Sequence, residues 1–521
     1  MASDPPRSLS DPFMDPAASE HAEDSNVGST PSELQVDRNA CLSLREDALV
    51  VSDAGLAHSG RKICCGLIPS TSSTTLAIPY YNILDATLDG SEVSIKHALF
   101  TSKTAVRPAY ITYTLADKST APTAKAWVSR LLASAYRGSV RARRLKVLIN
   151  PHGGKGLAPK LYAQEAEPIL KAAGCEIDAE TTTHSGHALE IARDLDIDKY
   201  DAIVCCSGDG TPHEVFNGLA QQAYPRRALR KIAVTLIPGG SGNALAINLN
   251  GTTSPSVAAL AIVKAARMPL DLVSVSQGEK RILSFLSQSW GIVAECDLDT
   301  EDIRWMGSAR FTFGFFKRLV GKTVYPAEVS VKVEYGDKDT IRAEYKKARY
   351  GGAGESSADA DHARELHDDE TTLPKLIYGT VNDPVPEDWV TTDMPDLGNF
   401  FCGNLVHMSA DAPFFPAALP NDGLMDLFDV DGTIGRLAAI KLMVSIEQNQ
   451  FFDQPDVHYK KIKAFRLSPR LRPGQKQGFI SVDGERIDFA PLQAEIMPGL
   501  GTVLGVPGKG FHFDGPQDPT R

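Results

Sequence analysis

Three segments of this chain repeat one arrangement: a run of buried-type residues, a glycine-rich turn, and a helical pattern. LKVLIN runs into Asn150-Pro151-His152-Gly153-Gly154-Lys155-Gly156, and DAIVCC into Ser207-Gly208-Asp209-Gly210-Thr211-Pro212-His213-Glu214. KIAVTLI runs into Pro238-Gly239-Gly240-Ser241-Gly242-Asn243. Strands without polar alternation need cover on both faces, and alternating helices supply it. The three segments therefore predict a parallel sheet between helical layers. Ligands of such sheets sit beyond the carboxyl ends of the strands, the edge where all three turns fall.

The residue types in the turns suit an anion. Glycines remove side chains so that backbone N–H groups can converge, and each following helix adds its positive N-terminal end. Lys155 brings a point charge suited to phosphate. GxxxxGK[ST] is absent, so the first turn is not a Walker A loop, and a plain strand–helix connection is the other reading. Asp209, between Gly208 and Gly210 with no obvious packing role, is placed to act as a general base toward a hydroxyl or as an outer-sphere Mg²⁺ ligand. Thr211 as N-cap, Pro212 in the first turn and Glu214 three residues on would form a capping box. Glu214 is then either a helix cap or a nucleotide contact, and His213 reads as structural. Ser241 and Asn243 offer side-chain hydrogen bonds in the third turn.

Composition narrows the partners. With 521 residues, the chain is long enough for two or three cores. Its net charge of −11 argues against nucleic acid and against a purely electrostatic membrane anchor. No run approaches the roughly 20 apolar residues of a membrane-spanning helix, and MASDPPRSLSDPFMDPAASE lacks the pattern of a secretory signal. The eight cysteines show no zinc-like spacing. The expectation from composition is a cytoplasmic protein, and its acidity does not exclude a membrane-derived substrate. Cys64 and Cys65, beside Arg61 and Lys62, are either ordinary thiols or palmitate acceptors.

Along the chain, residues 1–38 have the composition of a disordered tail, and 39–140 read as short β runs closed by one helix, suited to a pleckstrin-homology-like module. Residues 141–272 hold the three glycine turns. Residues 273–505 are mostly β, broken by an acidic aperiodic insertion at 351–373, and 506–521 form a tail.

NPHGGKG, SGDGTPHEVFNGL and PGGSGNALA, in this order, resemble the successive signatures of the diacylglycerol-kinase catalytic superfamily, which includes diacylglycerol, ceramide and sphingosine kinases. The resemblance covers residues 145–500. It implies a Rossmann-like α/β nucleotide-binding domain joined to a β-sandwich lipid-binding domain, with ATP and Mg²⁺ in the cleft between them. The final strands would return to the first domain. The resemblance places all three turns at the nucleotide, with Thr182 of TTTHSG beside them in a register open by one residue. Arg304 and Arg310 in DIRWMGSARFTFG match arginines that reach the ATP phosphates, where positive charge favours phosphoryl transfer. Asp483-Gly484-Glu485 matches a motif near the nucleotide and its metal, and an Asp-Gly pair also suits a hairpin turn. Mg²⁺ is expected through water, near Asp209 and Asp483.

The segment from Ser289 to Leu298 is most similar to sphingosine kinases. Asp297 falls where that group pairs an Asp with the substrate's amino group, and Ser289 falls on the substrate side. A sphingoid base carries an ammonium that a cleft carboxylate can hold, whereas ceramide and diacylglycerol do not. A loop cap is the other reading of Asp297. Glu295 stands where the group has Asp. Phe311, Phe313, Phe315 and Phe316 form either the wall of an acyl-chain pocket or ordinary core. The resemblance implies an ATP-dependent kinase of sphingoid bases in peripheral association with intracellular or plasma membranes. Ceramide or diacylglycerol kinases and a non-catalytic lipid-binding protein on the same fold are the rivals.

Overall fold

The computed structural model describes residues 32–37, 39–54, 75–298, 323–350, 370–472, 474, 475, 477–506, 513, 515 and 516. Cys64, Cys65, Arg304, Arg310, Phe311, Phe313, Phe315, Phe316 and most of the acidic insertion lie outside the described residues.

The N-terminal region forms two antiparallel sheets. One joins β1 (Glu33–Val36), β2 (Ala40–Leu44), β3 (Ala48–Asp53) and β4 (Thr75–Pro79); the other joins β5 (Ile83–Asp89), β6 (Glu92–Ser102) and β7 (Ala105–Thr114). Helix α1 (Ala121–Ala135) follows, burying Ala124, Trp127, Val128, Leu131, Leu132 and Ala135 at helical spacing. This region shares one apolar core with the domain after it: Leu34, Trp127, Val147 and Leu504 belong to the same buried cluster. Lys264 reinforces the junction, its ammonium donating to Ile83 O (2.5 Å) and Ala135 O (2.9 Å) from 3.7 Å above the Tyr136 ring.

The glycine-turn segments form β8 (Arg144–Ile149), β10 (Ala202–Ser207) and β11 (Ala233–Pro238), with β9 (Glu176–Thr181) at the edge. Every residue of β10 and β11 is buried, which is why their sequences lack polar alternation. The parallel order is β9-β8-β10-β11-β24, where β24 (Leu492–Gly505) arrives from the far end of the chain. Helices α2 (His187–Asp194), α3 (Gly210–Leu219), α4 (Ala244–Asn250) and α5 (Pro255–Lys264) connect and cover these strands.

Strand β12 (Ala266–Gln277) then runs antiparallel along β24, so the division expected at residue 272 falls inside a continuous strand. β13 (Lys280–Ser284), β14 (Ser287–Gly291), the short helix α6 (Ile292–Leu298), β15 (Ala327–Tyr335), β16 (Val390–Met394) and β17 (Leu397–Gly403) follow. The rest comprises the small hairpin β18 (His407–Ser409) and β19 (Ala412–Pro413), β20 (Met425–Asp431), helix α7 (Arg436–Glu447), β21 (His458–Pro469), β22 (Ile480–Val482) and β23 (Glu485–Ile487). β24 pairs with β21 on the β side and β11 on the α/β side, so one strand ties both halves into a single sheet.

Candidate functional site

The three turns meet because glycine lets their backbones touch. A Cβ on Gly240 would lie 2.4 Å from Gly208 Cα, and one on Gly154, at φ +56°, would lie 3.0 Å from Ser241 N. Side chains at these positions would force the turns apart. Polar side chains then shape the loops from within. Asn243 Oδ1 accepts from Gly239 N (3.2 Å) and Gly240 N (3.1 Å), and its amide donates to Gly240 O. Asn150 Oδ1 accepts from His152 N (2.9 Å), and Ser207 Oγ donates to Gly208 O (2.8 Å).

Asp209 has a structural role that its sequence context does not suggest. Its oxygens accept from Ala244 N (2.8 Å) and Leu245 N (2.9 Å), so it caps α4, the helix of the third turn. Burial pushes its carboxyl up to about 6, against those two donors, with the Asp483 charge adding to the rise. The capping box at Glu214 does not form. Helix α3 starts at Gly210 with Asp209 as its N-cap, so Glu214 lies too far into the helix to reach back. It accepts instead from Gly186 N (2.9 Å) and Ala188 N (3.0 Å), capping α2.

Asp483, at φ +54°, turns the β22–β23 hairpin and is saturated. Its carboxylate accepts from Ser284 Oγ (2.5 Å) and from the backbone N–H groups of Phe285, Leu286 and Ser287. It also holds His213 Nδ1 at 2.8 Å. Burial opposes an imidazolium at His213, but the hydrogen bond and charge of Asp483 outweigh it and raise the His213 pKa. Asn217, one turn on, clasps Leu283 N and O at 2.8 Å each. The helix behind Asp209 is thus bolted to the segment leading into β14. With all its lone pairs engaged inside the protein, Asp483 does not fit the water-mediated metal role expected of it. Both carboxylates of the motif line the cleft, Asp483 buried in its wall and Glu485 exposed beside Gly210.

One cavity of about 710 Å³ spans the space between the halves. Its walls include Asn150, Gly153, Gly154, Thr182, Gly208, Asp209, Gly210, Glu214, Gly240, Ser241 and Gly242, and across from them Ser289, Asp483, Gly484 and Glu485. Of the two threonines between which the register is open, Thr182 lines the cavity and donates its N–H to Ile149 O (2.9 Å), whereas Thr183 N–H donates to His187 Nδ1 (3.2 Å) away from the lining. Pro151, Lys155, Gly156, Ser207, Gly239 and Asn243 are not among the lining residues, and Lys155 is exposed. Asp297 lies on α6, where Ile292, Val293 and Cys296 line the cavity; the placement of its side chain is outside the described residues. Glu295 is engaged elsewhere, accepting from Arg472 Nη2 (3.2 Å) and from the Tyr325 hydroxyl.

The other end of the cavity carries no contiguous sequence motif. Phe401, Phe414, Phe428 and Phe451 meet there edge to face or stacked, with Phe428 and Phe451 centroids 4.8 Å apart. Leu442, Met443 and Ile446 of α7 complete the wall. The one available signal was α7 itself, RLAAIKLMVSIE, apolar on more than one side. Among the described residues, no group of three or more His, Cys, Asp or Glu side chains could hold a metal alone, and no helix is long and apolar enough to cross a membrane.

Comparison with known proteins fits this arrangement. Residues 144–275 match the diacylglycerol kinase catalytic domain, 404–505 the YegS C-terminal NAD kinase beta sandwich-like domain, and 32–137 a domain of unknown function. A diacylglycerol kinase catalytic domain followed by a β sandwich-like domain places the chain among the lipid kinases. The chain is 36% identical over 424 residues to sphingoid long chain base kinase 5 of Saccharomyces cerevisiae, covering 72% of this chain and 61% of that longer protein. It is 32% identical over 475 residues to sphingoid long chain base kinase 4 of Schizosaccharomyces pombe, covering 89% and 95%. To human sphingosine kinase 1 it is 30% identical over 372 residues, covering 69% and 90%. The chain belongs to the sphingoid long-chain base kinase family, within the diacylglycerol kinase catalytic superfamily.

Proposed function

We propose that this protein transfers the γ-phosphoryl group of ATP to the primary hydroxyl of a sphingoid long-chain base drawn from a membrane surface. The observation that supports this reading is a single cavity with two unlike ends. One end has a backbone-lined cradle and a desolvated carboxylate; the other has an aromatic wall. The glycine turns present N–H groups to the phosphates. Mg²⁺, when bound with ATP, supplies charge neutralisation, and Asp209 and Glu485 are the carboxylates suited to hold it through water. Asp209 accepts the hydroxyl proton as the lipid oxygen bonds to the γ-phosphorus. The bond from that phosphorus to the bridging oxygen breaks, and its electron pair leaves with ADP. A carboxyl raised to about 6 is ionised near neutrality yet more basic than an ordinary Asp. Arg304 and Arg310 are assigned to the phosphates, Asp297 to the ammonium, and the phenylalanine end to the hydrocarbon chain.

The test is a side-by-side assay of sphinganine, ceramide and diacylglycerol with labelled ATP. Product is expected from the amine-bearing lipid, and Asp297→Asn should lower kcat/KM for it on the order of tenfold or more. Equal labelling of ceramide or diacylglycerol would overturn the substrate assignment.

A further inference from the structure

Helix α7 is apolar on two sides. Its inner side, with Leu442, Met443 and Ile446, lines the cavity. On its outer side Leu437, Ile440 and Val444 are 84%, 38% and 44% exposed. Spacing of three and four residues places these three on one stripe along the helix. A surface helix of a soluble domain ordinarily turns polar residues to water, so an apolar outer stripe calls for a covering partner. Among the charged residues of α7, all exposed, the cations Arg436 and Lys441 outnumber the one carboxylate, Glu447, although the chain as a whole carries a net charge of −11. Apolar side chains flanked by cations suit the headgroup layer of an anionic bilayer, where the side chains enter the acyl boundary and the cations meet lipid phosphates or carboxylates.

The position of the stripe favours this occupant over a protein partner. A single helix, about 10 Å across, separates it from the apolar end of the cavity. For a long-chain lipid moving from bilayer to cavity, every methylene exposed to water on the way raises the free energy. Seating this wall in the headgroup layer shortens that exposure. We propose that the Leu437–Ile440–Val444 stripe, with Arg436 and Lys441, is the surface by which this protein seats on anionic bilayers. The proposal rests on the lipid-kinase reading and adds the face through which the substrate is approached.

The test uses the full chain and a Leu437→Glu/Val444→Glu double variant, with Leu437→Gln/Val444→Gln as a variant of unchanged charge. Sedimentation is measured with vesicles of phosphatidylcholine alone and of phosphatidylcholine with phosphatidylserine. The wild type should bind the phosphatidylserine vesicles more tightly, and both variants should bind them at least tenfold more weakly than the wild type. Phosphorylation of vesicle-borne sphinganine should fall by a similar factor, while that of a water-soluble short-chain sphingoid base without vesicles stays within twofold. Unchanged vesicle binding in both variants overturns the proposal. So does light scattering that shows a wild-type dimer which the variants dissociate, since a second copy would then own the face. Failure of every form to phosphorylate the short-chain base would overturn the kinase reading, whereas the vesicle binding would still decide the surface.

Discussion

The two ends of the cavity are built from different materials. The polar end is backbone. Its shape comes from Gly240 packed against both Gly154 and Gly208, and from Asn150, Asn243 and Asp209 bonded to neighbouring amides. The apolar end is side chain: Phe401, Phe414, Phe428 and Phe451 come from separate segments and meet only through packing. A backbone site tolerates almost no addition, because a Cβ meets another main chain. A side-chain site can be resized one residue at a time. The first end should therefore govern whether transfer occurs, and the second which lipid is accepted.

Asp209→Asn gives the sharpest contrast. The amide keeps one acceptor for the α4 cap but is no base, so kcat should fall by about 10³-fold with little change in ATP binding. Calorimetric titration with ATP, beside turnover assays, checks this; near-normal turnover would remove Asp209 from the chemistry. A smaller effect, confined to the lipid, is expected at the other end. Met443→Trp should raise KM for long-chain bases by about tenfold and leave KM for ATP and kcat on a short-chain base unchanged. If KM for ATP moved equally, the two ends would not be separable.

The gentlest probe is pH. Asp209, pushed up to about 6 by burial, is ionised only above that value, so kcat should drop as pH falls through 6 rather than through the ordinary Asp range near 4. The stability linkage has the opposite sign. A carboxyl whose folded pKa is raised binds its proton more tightly in the folded state. Its contribution is complete below the unfolded value and is lost as pH rises through about 6. Chemical denaturation of wild type and Asp209→Asn between pH 4 and 7 should show this slope in the wild type and a shallower one in the variant.

The unequal legibility of the two ends follows from the same difference. The turns stand in short contiguous motifs because a strand–turn–helix unit makes its own backbone geometry. NPHGGKG, SGDGTPHE and PGGSGN thus announce a glycine-lined cradle before any fold is known. The partners of the side chains inside those motifs were not announced. Glu214, which reads as a cap of its own helix or a nucleotide contact, caps α2, and Asp483, which reads as a hairpin residue and a metal neighbour, turns the hairpin and spends its oxygens on His213 and residues 284–287. Each acceptor went to the nearest unpaired donor in space, which local spacing does not reveal.

The order of glycine turns was enough to determine an α/β sheet, the edge where the turns gather and a kinase family, since backbone conformation and strand burial are written residue by residue. Only the tertiary structure decided what surrounds that edge. It returned β24 beside β11, merged the N-terminal sheets into the catalytic core, and drew four phenylalanines around the far end of the cavity. Those outcomes depend on apolar surface shared between segments hundreds of residues apart, and no stretch of sequence carries both sides of such a contact.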